Sequence, residues 1–320
     1  MAHDPAARDV MTVQQDGDTN AIGNAPPYSL EDWWAQRRAT DAVLEDVGGV
    51  VTRMGDETVG EMWSLHDGQD VLNEVDPQFA SNGYVYVCTT SDASASPDVR
   101  LSRYTLRRPK GDAVIERADI VTGMPYSTGR HSGCRPRFGP DGFLWVGTGD
   151  AAIDKTPQDD ESLGGKVLRI DREGRAAPGN PGGFRWLSKG HRNVQGIAFR
   201  SDGLGVSAEH GPAVDDELNL LVPGNFGWDP GPGYDESVPM TDLQRFPDAV
   251  EAIWSSGSPT LALSGADFVE GAVWGDWDGA LVVATLKAQH LRLFFLDADT
   301  AVVGEMPLIE DRGRLRSPRQ

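Results

Sequence analysis

A histidine, a carboxylate and an arginine stand at loop positions of this sequence where they could move a proton and hold an anion. His131 opens the stretch that runs through Cys134, Pro136 and Gly139 to Gly142, and Asp150 closes the apolar segment that follows. An imidazole on a loop entering a strand can face a channel, and a carboxylate on the neighbouring loop can hold it in the tautomer a general base requires. The competing reading is a histidine that only stabilises its turn. Gly190-His191-Arg192-Asn193-Val194-Gln195-Gly196 packs a cation and two amides into one turn, suited to a planar polar ligand and equally to a buried turn network. Glu209-His210-Gly211-Pro212, followed by Asp215-Asp216-Glu217, offers main-chain oxygens and carboxylates, the donors a hard cation such as calcium prefers. The spacing is not that of an EF-hand, and a solvated acidic loop has the same composition.

The elements that must position these groups are strands. An Asx-Gly turn followed at once by an apolar run recurs at Asn82-Gly83, Asp141-Gly142, Asp202-Gly203 and Asp278-Gly279. Such turns suit hairpins whose central residues need positive φ, and intervals of roughly sixty to seventy-five residues fit one small sheet per repeat. Tyr84-Val85-Tyr86-Val87 and Phe143-Leu144-Trp145-Val146 are apolar on both faces, as in sheets packed between other layers. Repeated sheets point to a propeller, with an irregular β-sandwich as the competing architecture. Before about residue 60 the texture is polar, and Ser29 can cap a helix through Trp33, Trp34 and Ala42.

Composition excludes several classes. The 320 residues carry a formal charge of −20, which disfavours any surface built to neutralise phosphates, so no nucleic-acid partner is expected. No apolar run approaches the length of a membrane span, and residues 1–23 show no basic segment followed by an apolar one, so no export signal is visible. Phosphate-loop, HExxH, GxSxG and CxxC signatures are missing. The two cysteines, Cys88 and Cys134, permit one disulfide, with buried free thiols as the other reading.

From Phe138-Gly139-Pro140-Asp141-Gly142 and Gly147-Thr148-Gly149-Asp150 onward, ordered motifs accumulate. They continue with Ser162 to Asp171, Gly190 to Gly196, Glu209 to Pro212, and Asp216-Glu217-Leu218-Asn219 through Gly227-Trp228. Across about residues 60–316 the sequence resembles the soluble pyrroloquinoline-quinone-dependent aldose sugar dehydrogenases, also called glucose/sorbosone dehydrogenases. The resemblance implies an all-β fold, a six-bladed β-propeller over residues 61–320 behind a divergent, partly helical segment 1–60. It implies bound pyrroloquinoline quinone and calcium, an aldose substrate, an external electron acceptor, and a periplasmic or extracellular location. Under it His131 is the base that takes the proton of the sugar C1 hydroxyl while hydride passes to the quinone, Asp150 orients His131, and Arg192 stabilises the quinone's developing charge. Asn193, Lys287, Arg314 and Arg316 match quinone contacts, Gln69 and Thr260 align with two more, and the carbonyls of Gly211 and Pro212 hold calcium. Glu217 and the carbonyl of Phe226 resemble a second, structural calcium site.

The sequence departs from the family in three respects. Residues 1 to about 60 do not resemble its first blade, the segment around Gln69 is shorter, and the chain ends at Gln320 before strands that would complete the last blade. The expected propeller is therefore incomplete at both chain ends. Two other functions fit the same fold, a non-catalytic propeller serving as a binding module and a calcium-dependent lactone hydrolase.

Overall fold

The computed structural model describes residues 12–15, 18–21, 73–91, 97–107, 114–310 and 312–320. An N-terminal hairpin comprises β1 (Thr12–Gln15) and β2 (Asp18–Ala21). The next sheet runs in chain order through β3 (Asn73–Val75), β4 (Tyr84–Ser91), β5 (Asp98–Arg107) and β6 (Val114–Met124), with the single helical turn α1 (Phe79–Asn82) before β4. Then follow β7 (Gly133–Phe138), β8 (Leu144–Thr148), β9 (Lys166–Ile170) and β10 (Trp186–Lys189), an antiparallel meander again in chain order.

The later strands repeat the plan. One sheet joins β11 (Val194–Phe199), β12 (Gly205–Glu209), β13 (Glu217–Leu220) and β15 (Trp254–Ser255), while the intervening β14 (Gly224–Asn225) pairs parallel with the edge of β10. Another joins β16 (Leu263–Val269), β17 (Ala280–Thr285), β18 (Leu291–Leu296) and β19 (Val302–Leu308). The last strand, β20 (Leu315–Arg319), pairs with β1 in a sheet of order β2-β1-β20. Among the described residues there are thus five sheets, nearly all antiparallel, and very little helix.

The four Asx-Gly turns fall where the sequence places them. Gly83, Gly142, Gly203 and Gly279 have φ of 69°, 77°, 97° and 79°, and each precedes the second strand of its sheet. A β-carbon is disfavoured at such angles, which is why glycine recurs there. The second strands are buried on both faces, β8 and β17 along their whole length. Burial of each Val or Leu on them contributes roughly 1.5–3 kcal/mol.

Part of the N-terminal segment forms strands that its polar texture did not announce, and β1 covers an edge of β20 that would otherwise offer unpaired backbone groups. The helix expected from Ser29 to Ala42 lies outside the described residues, as does Gln69.

Two compact units organise the chain. One gathers β1 and β2 with Gly196–Leu220 and Ala252–Gln320, and the other gathers the described part of Ala39–Gln195 with Leu221–Glu251. Each has its own core. In the second unit Tyr86, Leu101, Leu144, Val146, Leu168 and Ile170 pack together. In the first, Val206, Leu218, Leu263, Leu281, Val283 and Phe294 do so. The open question about the cysteines resolves as a disulfide, Cys88 to Cys134, tying β4 to β7.

Candidate active site

Three loops of the second unit are laced together by backbone, and this brings His131, Asp150, Arg192 and Asn193 into one place. The amide of Ala151 donates to the carbonyl of His131 at 3.1 Å, and the amide of Asp150 donates to the carbonyl of Arg192 at 2.8 Å. Gly149 and Asn193 form an antiparallel bridge between the same loops. So close an approach needs glycine, since a β-carbon on Gly149 would lie 1.9 Å from the His131 carbonyl oxygen. His131 itself has φ of 52°, in the left-handed region, so its side chain is aimed by a turn that the packing must hold.

The side chains complete the arrangement. His131, Arg192 and Asn193 are buried, and Asp150 is fully so. Nδ1 of His131 lies 2.9 Å from Oδ1 of Asp150, which also accepts the amide of Ala152 at 2.8 Å. Oδ2 accepts the indole N–H of Trp228 at 2.8 Å and the hydroxyl of Tyr234 at 2.7 Å. The Tyr234 oxygen is also 2.8 Å from Nδ1 of His131. A carboxylate with these neighbours accepts only, so Nδ1 carries the proton and Nε2 keeps its lone pair. Burial pulls the His131 pKa below the usual histidine value, Asp150 opposes this, and the charges of Arg192 and Arg130 add to it. The ring is therefore neutral near neutral pH.

A guanidinium borders the pair. Arg192 lies over the Trp228 ring, 5.8 Å from its centroid, and its Nη2 is 2.5 Å from Oε1 of Glu236. Glu236 also holds Arg130 at 3.0 Å. Burial opposes its ionisation, but these arginines keep its carboxyl below the usual range. The side-chain oxygen of Asn193 accepts from Gln195 at 3.1 Å.

The remaining expected residues that the structure describes fall in the first unit, apart from Phe226. Lys287, exposed two residues after β17, donates from Nζ to the buried Thr260 hydroxyl at 3.1 Å. Arg316 is buried on β20 and Arg314, just before that strand, is exposed. Gly211 stands in a turn crowded by main-chain oxygens, where a β-carbon would meet those of Val214 and Asp215 at 2.1 and 2.5 Å. Its amide donates to Asp216 at 2.9 Å, and the other oxygen of that carboxylate takes the amides of Leu261 and Ala262. Pro212 follows in the same turn, half-buried. Asp216 is therefore an organiser of this turn, using both oxygens on backbone. Glu217, on β13, is buried and accepts from Asn219 at 3.3 Å. Phe226 belongs to the other unit, where its ring stacks on His191. Among the described residues no group of three or more His, Cys, Asp or Glu side chains gathers as metal ligands.

Tyr234 and Glu236 touch these candidate residues and were not singled out in the sequence. They sit in the Gly- and Pro-rich stretch after Trp228, and their partners His131 and Arg192 are 103 and 44 residues distant. Only the aromatic and acidic residues in an otherwise turn-forming stretch marked it.

A neutral imidazole backed by a carboxylate and flanked by a buried guanidinium has the chemistry to accept a proton beside a group that gains negative charge. The chain belongs to the Glucose / Sorbosone dehydrogenase family, whose pattern matches residues 58–320. It is 32% identical over 235 residues to quinoprotein glucose dehydrogenase B of Acinetobacter calcoaceticus, covering 63% of this chain and 48% of that protein. It therefore spans about half the length of that relative. It is 30% identical over 283 residues to an aldose sugar dehydrogenase of Escherichia coli K12, covering 82% of this chain and 74% of that one. Among solved structures, the PQQ-bound aldose sugar dehydrogenase of Streptomyces coelicolor matches with a TM-score of 0.65 and 30% identity, over 79% of this chain and 71% of that chain. No helix among the described residues is long and apolar enough to cross a membrane.

Proposed function

We propose that this protein is a quinone-dependent oxidoreductase that oxidises the C1 hydroxyl of an aldose to the lactone and passes electrons to an external acceptor. The observation that carries the reading is the His131–Asp150 pair with Arg192 beside it, in a chain of the glucose/sorbosone dehydrogenase family. Nε2 of His131 takes the hydroxyl proton, and Asp150 stabilises the imidazolium that results.

The residues present fit the implied groups. Arg192 already grips a carboxylate oxygen, that of Glu236, as it would one from a tricarboxylated quinone. The Gly211 turn is rich in main-chain oxygen, the donor a hard cation prefers. When bound, the quinone supplies the hydride acceptor and calcium the Lewis acid that polarises it. Arg192, Asn193, Thr260, Lys287, Arg314, Arg316 and, outside the described residues, Gln69 would hold the quinone. The carbonyls of Gly211 and Pro212 would hold the calcium, with Glu217 and Phe226 serving a second calcium ion.

The reading extends to the architecture, in which the sheets are blades of a six-bladed propeller spanning 61–320 behind the segment 1–60. It also extends to location. A Cys88–Cys134 disulfide supports an oxidising compartment, periplasmic or extracellular.

The test is reconstitution of the purified protein with pyrroloquinoline quinone and calcium, followed by dye reduction with aldoses. Dye reduction is expected, together with its loss by several orders of magnitude in His131→Ala at nearly unchanged quinone binding. Absence of dye reduction with every aldose at every concentration would sink the reading.

A further inference from the structure

The base is held from two sides, and only one of them belongs to the pair already described. Tyr234 is half-buried in a loop that follows β14, and its hydroxyl lies 2.7 Å from Asp150 Oδ2 and 2.8 Å from His131 Nδ1. Burial and the Asp150 charge keep its phenol protonated well beyond the usual range. The hydroxyl proton has one place to go, because Nδ1 already carries its own and points it at Asp150. Tyr234 therefore donates to the carboxylate, while the imidazole N–H stays directed at Asp150 Oδ1. The same loop is pinned nearby by Gly233, whose amide donates to Asp154 at 3.1 Å, and by Glu236 on Arg192 and Arg130.

We propose that Tyr234 is a positioning residue for the base, fixing the His131 ring against Asp150 and drawing off part of the carboxylate's charge. The proposal rests on the reading of His131 as the base. A hydrogen bond donated to a carboxylate is stronger than one between neutral groups and disperses its charge. Less of that charge then reaches the imidazolium, so Tyr234 favours the neutral ring. The other charged and titratable groups facing His131 are Asp150, which favours its protonation, and Arg192 and Arg130, which oppose it, with Glu236 paired to both arginines.

The test is read on His131 in the protein without quinone or sugar. Its ring-proton NMR signal, assigned with His131→Ala, is titrated in the wild type, in Tyr234→Phe, and with 3-fluorotyrosine incorporated at position 234. Phenylalanine removes the donor and is expected to raise the imidazole pKa by several tenths to about one pH unit. Fluorotyrosine is a stronger donor of the same shape and is expected to lower it. Unchanged values in both proteins, or shifts of the opposite sign, overturn the proposal. If Tyr234→Phe does not fold, the fluorotyrosine protein alone decides it. Because the measurement needs no turnover, a wild-type protein that reduces no dye strikes the dehydrogenase reading separately from this result.

Discussion

Asp150 accepts from Nδ1 of His131 with one carboxylate oxygen, while Trp228 and Tyr234 donate to the other. Asp150→Asn cannot satisfy this geometry. Turned either way, the amide N–H₂ faces an obligate donor, the Ala152 backbone N–H on one side or the Trp228 indole on the other. Turnover is expected to fall by about 10² to 10⁴-fold, the usual contribution of a positioned base, with a fall in stability of about 1–3 kcal/mol from the unpaired donors. Steady-state kinetics beside urea unfolding measures the two effects separately.

How much of this was legible in sequence depends on how local the cause is. The turns at Gly83, Gly142, Gly203 and Gly279 announce themselves because positive φ selects glycine residue by residue. His131, Asp150, Arg192 and Asn193 stood out in the sequence by residue type and motif, and their backbone lacing accounts for the glycine that stands just before Asp150. Tyr234 was not, because its contacts depend on where a loop without periodicity comes to rest. The hairpin of β1 and β2 was equally silent, since Thr12-Val13-Gln14-Gln15 is short and lacks alternation, and only pairing with β20 makes it a strand. The disulfide also waited on structure, because sequence gives cysteine spacing along the chain and bonding requires proximity in space.

The depressed His131 pKa fixes the pH behaviour. Protonation removes the Nε2 lone pair, so the acid limb of kcat/KM for the aldose is expected below the ordinary histidine value of 6.5, with a plateau above it. Stability follows the same sign. The unfolded chain takes up the proton at higher pH than the folded one, so this group costs no stability above 6.5 and destabilises the fold progressively as pH falls below it. A limb centred above 6.5 would contradict the burial of the ring, and a pH–rate profile decides.

Glu236 occupies the outer edge of the Arg192 guanidinium at 2.5 Å, so a carboxylated ligand reaching that arginine must compete with it. Glu236→Gln removes the competing charge and leaves the loop's other contacts in place. Quinone binding to the calcium-loaded apoprotein is expected to tighten several-fold, on the order of tenfold at most for a partly exposed ion pair. Quenching of tryptophan fluorescence, with Trp228 beside Arg192, provides the titration. Weaker binding would show that Glu236 holds Arg192 in its working position.

The Cys88–Cys134 bond spans 46 residues and enters β7 three residues after His131. Closing such a loop typically stabilises a fold by about 2–4 kcal/mol through the unfolded chain. The double variant Cys88→Ala with Cys134→Ala is expected to unfold at correspondingly lower temperature and urea concentration. Its kcat near 25 °C should change little, because Gly133 and Gly149 still clasp the His131 loop through backbone contacts that the disulfide does not make. A large loss of kcat in a variant that remains folded would place the disulfide among the devices that aim the base.

Lys166 is buried in the unit that carries the base, and its Nζ donates to the carbonyls of Thr156, Pro157 and Gly164 at 2.6, 3.1 and 2.8 Å. Thr156 in turn donates from its hydroxyl to the carbonyl of Asp150 at 2.7 Å, so the ammonium underpins the loop that presents the carboxylate. Burial pulls the Lys166 pKa down to about 7, while three carbonyl acceptors match three N–H donors and favour the charged form. Lys166→Met fills the space and leaves the carbonyls of Thr156 and Gly164 without this donor in the interior, while that of Pro157 keeps the Gly190 amide, which is expected to lower stability by about 2 kcal/mol or more. Because the folded pKa is depressed, the unfolded chain binds the extra proton between about 7 and the ordinary lysine value of 10.5. Wild-type stability should therefore contain a component that rises with pH across that interval and that Lys166→Met lacks. Urea midpoints for the two proteins at pH 7 and pH 9.5 measure it. A difference between them that does not change with pH would show that Lys166 stays fully charged in its carbonyl cage.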